Sequence, residues 1–330
     1  NKNAGATVSD IHVYLERGLN GKWKVVERTS ENLNMKDYEP DPVLTELLAS
    51  YDARAKEDAM TIIGELRGGN LAPENEIATL PQPMLQDTAL LDFINEAQMY
   101  YTGAQVSATS LTSMSSQMLE GAIHKCDMAS IYTYQNTLYK LEMTGEQLLR
   151  FMEWSAAFFR TWKPGDVTLA FDPSVRFFLY DAFEGVNYEL DVSKEPGHRI
   201  RNLTWPNGTP VKPTDVFVVA VNNYRANTQL LTAADIFMEG EELPKLLELD
   251  VRGDVGGIRE LLADYVRNVK GGVIEPHVNN NWKIVGNNWK AADHEKAVRL
   301  LREGKLSLYD NPDARNLPGN VLTTADIAAF

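Results

Sequence analysis

The chain has 330 residues, 44% of them hydrophobic and 24% charged, which is enough to bury a sizeable core and more than one typical domain needs. A formal net charge of -14, with Lys and Arg scattered along the chain, argues against DNA or RNA as a partner and leaves room for a small ligand whose charge is locally offset. The single Cys126 excludes an intrachain disulfide and a cysteine-built metal cluster, and no apolar run is long enough to span a bilayer.

The opening residues show no basic segment followed by an apolar one, so no signal peptide is expected among them. Ile11, Val13 and Leu15 alternate with polar residues, Asn20-Gly21 turns, and Trp23, Val25 and Val26 return, which predicts a hairpin. A lone hairpin cannot bury a face, so it pairs with the rest of the chain or is the edge of a preceding domain. Asp10-Ile11-His12 has the Asp-x-His spacing that begins many two-metal phosphoesterases, but His12 sits inside the alternation and reads as a strand residue. Asp41-Pro42 is a helix start, and Val43, Leu44, Leu47, Leu48, Tyr51, Ala55, Ala59 and Ile62 recur at helical spacing. The helix is expected to reach Ile63 and to end or bend at Gly64.

Residues 68–83 carry Gly, Asn and Pro and read as loop, after which Asp87 is expected to cap a helix with the stripe Leu90, Phe93, Ile94, Ala97 and Tyr101. Residues 106–111 predict a strand, followed by a Ser-rich loop. Leu138, Leu141 and Met143 mark another strand, and Thr144 with Gln147 forms a capping box ahead of Leu148, Phe151 and Met152. Residues 177–192 and 199–205 read as paired strands, and Pro206-Asn207-Gly208 turns into the run 215–227. Gly256-Gly257-Ile258-Arg259 marks a helix start, and Trp282 with Ile284 anchors a short strand.

The run 215–227, DVFVVAVNNYRAN, is the most informative stretch. Residues 217–221 suit a strand buried on both faces, and Asn222, Asn223, Tyr224 and Arg225 follow it directly. Amides, a phenol ring and a guanidinium delivered to one loop suit a polar ligand with a flat face, while an ordinary polar loop has the same composition. Tyr134 and Asn136 repeat the pattern where the chain enters the strand at Leu138.

The segments YQNTLYKLEMTGEQLLRFMEWSAAFF, YDAFEGVNYELDVSKEPGHRIRNLTW, VFVVAVNNYRAN and NNWKIVG resemble, in order, the C-terminal domain of the 5'-nucleotidase family. The pattern is most similar to the branch of 2',3'-cyclic-nucleotide 2'-phosphodiesterase/3'-nucleotidases, because Ser110 to Ser116 stands where the 5'-nucleotidase branch carries Asn-Gly-Gly-Ile-Arg. The resemblance implies an α+β fold with layered helices over mixed or antiparallel sheets. It implies three parts: residues 1–40 as the remnant of an N-terminal metallophosphoesterase domain, 41–64 as a connector helix hinged at Gly64, and 65–330 as a nucleotide-binding domain. It also implies a base held between Tyr134 and Tyr224, with Asn136, Asn222, Asn223 and Arg225 around them. Asn227, Thr228 and Gln229 replace the family's Gly-rich turn, so a bulkier pocket rim is expected.

The family's two divalent metal ions belong to the N-terminal domain, and His12, His124, His198, His277 and His294 do not form its ligand motifs here. The expectation is therefore the substrate-binding part of a secreted, periplasmic or cell-envelope nucleotide hydrolase, with no catalytic or metal-ligating residue of its own. Its partners would be nucleosides or nucleotides and the metal-bearing domain of the same protein. A stand-alone nucleoside-binding module and a surface interaction module without hydrolase activity remain alternatives.

Overall fold

The computed structural model describes residues 5–308 and 316–330. The chain divides into two compact units, Asn1–Asp58 and Ala59–Phe330. In the first, β1 (Thr7–Arg17) and β2 (Trp23–Asn34) pair antiparallel from Thr7↔Asn34 to Arg17↔Trp23. His12 stands opposite Thr29 in this ladder with its Nε2 3.2 Å from Asp10, the exposed strand position that the alternation predicts. The first helix, α1 (Pro42–Ala59), starts as the Asp-Pro pair requires: Asp41 Oδ1 accepts from the amides of Val43 and Leu44 at 2.9 and 3.0 Å.

The second unit runs β3 (Ile62–Leu66), α2 (Ala89–Thr102), β4 (Val106–Ser110), β5 (Gly121–His124), α3 (Lys125–Ile131), β6 (Leu138–Thr144) and α4 (Gly145–Ala156). It continues with β7 (Asp181–Glu184), β8 (Asn187–Asp191), β9 (Ile200–Thr204), β10 (Val216–Asn222) and the single turn α5 (Asn223–Arg225). Then come β11 (Lys245–Glu248), α6 (Ile258–Asp264), β12 (Val273–Ile274), β13 (Trp282–Val285), α7 (Ala291–Arg302) and α8 (Thr324–Ala328). This is the α+β arrangement expected, with three sheets in the orders β11-β6-β10-β4-β7, β12-β3-β5 and β13-β8-β9. Each sheet contains one parallel pair, β10 with β4, β12 with β3 and β13 with β8, so all three are mixed.

The helix expected to reach Ile63 stops at Ala59, because residues 62–66 are taken by a sheet. Gly64 is therefore not a bending point. It lies in the middle strand of its sheet, where an added Cβ would meet Val266 Cγ1 at 2.5 Å and the Gly272 carbonyl at 2.7 Å, so glycine permits close packing there. Asp87 does not cap α2 either: Thr88 holds the cap position, and the Asp87 carboxylate is buried. Residues 177–192 split between two sheets. Gly185, at φ 86, turns the chain so tightly that a Cβ would lie 2.0 Å from the Gln105 carbonyl, which sends β7 to pair with β4 and β8 to pair with β9.

The centre of the five-stranded sheet is β10, and Phe217, Val219, Ala220 and Val221 are all buried in the core, as their apolar run demands. Helix α4 begins with the predicted box: Thr144 Oγ1 accepts from the Gln147 amide at 3.2 Å, and Gln147 Oε1 accepts from the Thr144 amide at 2.9 Å. At its other end the fully buried Arg199 donates to the carbonyl of Ala156, the last residue of the helix, at 2.7 Å and to that of Phe159, just beyond it, at 2.6 Å.

Candidate functional site

The register of the central sheet brings four chain segments to one end. Asn222, the last residue of β10, pairs with Leu138, the first of β6, and Ser110, the last of β4, pairs with Asp181, the first of β7. Whatever follows β4 and β10, and whatever precedes β6 and β7, must therefore meet at that edge. The result is a pocket of about 260 Å³ lined by Ser110, Thr112, Tyr134, Asn136, Phe178, Asn222, Tyr224 and Arg225. An open end between a parallel pair of strands is a common place for a ligand.

Three rings shape the pocket. Tyr134 and Tyr224 remain 40% and 45% exposed, too open for core residues. Each meets Phe178 edge to face, with centroids 5.9 Å apart at 73° for Tyr134 and 6.4 Å apart at 74° for Tyr224. Phe178 sits on a short 3₁₀ turn, Phe177–Leu179, whose first ring, Phe177, points into the core.

The polar residues divide into presenters and holders. Asn136 donates from Nδ2 to the buried Tyr132 hydroxyl at 3.3 Å, while its backbone carbonyl accepts from the Ile258 amide at the start of α6. Asn222 caps the turn after β10, its Oδ1 accepting from the Arg225 amide at 2.8 Å. Asn223 is outside the pocket lining and knits the two loops together: its amide donates to the Thr137 carbonyl at 2.9 Å, and its Oδ1 accepts from the Thr137 amide at 3.2 Å. Thr112 is spent on Ile131 and Thr133, and Ser110 stands at the floor.

Arg225 does not leave the core with its neighbours. Only 2% exposed, it donates from Nε to Asp181 Oδ2 at 2.7 Å, from one terminal nitrogen to Gln229 Oε1 at 2.9 Å and from the other to the Phe178 carbonyl at 2.9 Å. Its guanidinium carbon also lies 4.8 Å from the Trp154 ring centroid. Burial pushes the Asp181 carboxyl up, and the Arg225 charge opposes the rise. The only cation in the pocket lining is thus committed to the protein itself.

Sequence reasoning placed Tyr134, Asn136, Asn222, Tyr224 and Arg225 along this lining but missed Phe178, Ser110 and Thr112. No local signal separates Phe178 from Phe177; the folded chain does, burying Phe177 in the core and leaving Phe178 in the pocket lining.

Elsewhere a cavity of about 430 Å³ is walled by Trp289, stacked on His294 at 4.5 Å, with Glu76 and Asp87. Beside it lies a buried acid pair. Burial first, then the neighbouring Asp87 charge, pushes the Asp92 carboxyl up to about 9, so at neutral pH it keeps its proton next to Asp87. Among the described residues no group of three or more His, Cys, Asp or Glu side chains is arranged to hold a metal ion. The described residues therefore do not fit a two-metal centre.

Comparison with known proteins agrees with the fold. The family model "5'-nucleotidase, C-terminal domain" matches residues 67–234, just over half of the chain. A 2',3'-cyclic-nucleotide 2'-phosphodiesterase/3'-nucleotidase of Haemophilus influenzae is 26% identical over 91% of this chain and 51% of its own length. The protein of the same name from Yersinia enterocolitica is 30% identical over 47% of this chain and 25% of its own length. This chain thus spans about half the length of the first relative and less of the second. Among solved structures, a Staphylococcus aureus protein assigned as a 5'-nucleotidase superposes with a TM-score of 0.62 at 20% identity, over 85% of this chain and 51% of that one. A Thermus thermophilus 5'-nucleotidase precursor gives 0.56 at 17% identity, over 87% and 51%. With a matched family model and a shared fold, the chain belongs to the 5'-nucleotidase C-terminal domain family.

Proposed function

We propose that this chain is the substrate-binding part of a metal-dependent nucleotide phosphohydrolase, holding the nucleoside base between Tyr134 and Tyr224 while the metal chemistry lies on a domain outside it. The observation that carries this reading is the convergence of two half-exposed tyrosines on one 260 Å³ pocket whose remaining lining is amide, hydroxyl, a third ring and the internally paired Arg225. A flat, polar-edged heterocycle suits such a lining, since its faces stack on the rings and its edge meets the hydrogen-bonding groups. The names of the Haemophilus and Yersinia relatives support a 2',3'-cyclic or 3' nucleotide as the substrate class of the whole protein.

Stacking is worth about 1 to 3 kcal/mol per base and ring, before the cost of immobilising the ligand. An affinity near millimolar, about 4 kcal/mol, is the expected outcome for the chain alone. Titration of adenosine into wild-type chain, Tyr134→Ala and Tyr224→Ala, followed by NMR, tests the assignment. Each substitution should weaken binding by about 5-fold or more, and binding that survives both would remove the base site from this pocket.

A further inference from the structure

We propose that Phe178 is a third aromatic wall of the base site and that the buried Asp181–Arg225 pair is the device that positions it. This rests on the base-binding reading above and extends it to Phe178 and Asp181, which no sequence signal identified, and to a new role for Arg225. Phe178 stands within 6.4 Å of both tyrosines, at nearly the same steep angle to each, so a ring lodged between Tyr134 and Tyr224 has an edge against Phe178.

A three-residue 3₁₀ turn has poor internal hydrogen bonds and cannot fix a ring by itself. The Phe178 carbonyl instead accepts from the Arg225 guanidinium at 2.9 Å. The same guanidinium is clamped by Asp181, three residues further along, and by Gln229, while its own backbone amide is tied to Asn222. One planar group therefore ties the segment carrying Phe178 to the turn carrying Tyr224, and it does so beneath the pocket. A fully buried ion pair adds little net stability over an apolar replacement, so stability alone does not account for this one, whereas a positional role does. Lysine would keep the charge but lose the fixed fork that reaches three acceptors at once.

The test is a double-mutant cycle on adenosine affinity, with thermal unfolding recorded for each variant. Phe178→Leu should weaken adenosine by about 3- to 10-fold with little change in Tm, because the ring is only half-buried, and Phe178→Tyr should restore the affinity. Arg225→Lys should weaken binding comparably in the wild-type background and by less than about 2-fold in the Phe178→Leu background, since it acts through the ring. If Arg225→Lys does not fold, Gln229→Leu takes its place in the cycle by removing one of the acceptors that hold the guanidinium. Wild-type affinity in Phe178→Leu, or the same loss from the arginine or glutamine change in both backgrounds, overturns the proposal. If Tyr134→Ala and Tyr224→Ala weaken binding while Phe178→Leu does not, the base site stands and only the third wall falls; if neither tyrosine matters, the base site itself is misplaced.

Discussion

Asp92 and Arg225 are both ionisable groups withdrawn from water, and the chain resolves the two cases differently. Arg225 keeps its charge by meeting Asp181, Gln229 and a backbone carbonyl. Asp92 keeps its proton instead, its carboxyl pushed up to about 9 from an ordinary 3.8 by burial and by Asp87. A carboxyl raised on folding contributes stability that is complete below its ordinary value and is lost as pH climbs through the folded value. Wild-type Tm should therefore fall between about pH 4 and 9, and Asp92→Asn, which mimics the protonated shape, should flatten that fall and raise Tm at the alkaline end. Superimposable pH profiles for the two proteins would show that Asp92 is already ionised. The fate of neither residue was legible in the sequence. Asn-Asn-Tyr-Arg reads as a run of polar residues leaving a strand, and the arginine's return to the core depends on an aspartate 44 positions away.

At the scale of elements, local signals with a hydrogen bond or a steric rule behind them were legible. The Asp41 cap, the Thr144–Gln147 box and the buried run in β10 each follow from neighbours in sequence. What failed was partition among sheets. Ile62 and Ile63 were expected to finish a helix but lie in a strand, and residues 177–192 were divided by Gly185, because both outcomes depend on distant backbone: Gly272 in one case and Gln105 in the other. The start of α4 offers a test of how such long-range contacts override propensity. Removing its cap by Thr144→Ala should cost about 1 kcal/mol in urea unfolding. Gly145→Ala would gain up to about 1 kcal/mol if helix propensity decided the matter. An added Cβ at that position, however, would lie 2.0 Å from the Lys212 carbonyl, against backbone that cannot swing away. Overpacking typically costs about 1 to 3 kcal/mol, so the alanine variant should be destabilised; a stabilised one would show that the 212–215 turn moves freely.

For the whole molecule, the candidate pocket was legible as a pair of aromatic and amide clusters at strand boundaries, and the sheet register explains why clusters 90 residues apart converge: Asn222 and Leu138 are ladder partners. Its charge balance was less legible, because the sequence suggested that Arg225 was available to a ligand. In the folded chain that cation is consumed internally, and a net charge of -14 over the whole chain offers a phosphate no general attraction. Under the proposed function, this chain recognises a base and leaves the phosphate to another domain. The most direct measurement is a calorimetric titration of the wild-type chain with adenosine and with 3'-AMP at the same ionic strength. Near-millimolar binding of both is expected, with affinities within about 3-fold of each other. Binding of 3'-AMP more than about 10-fold tighter than adenosine, or no binding of adenosine at all, would contradict it.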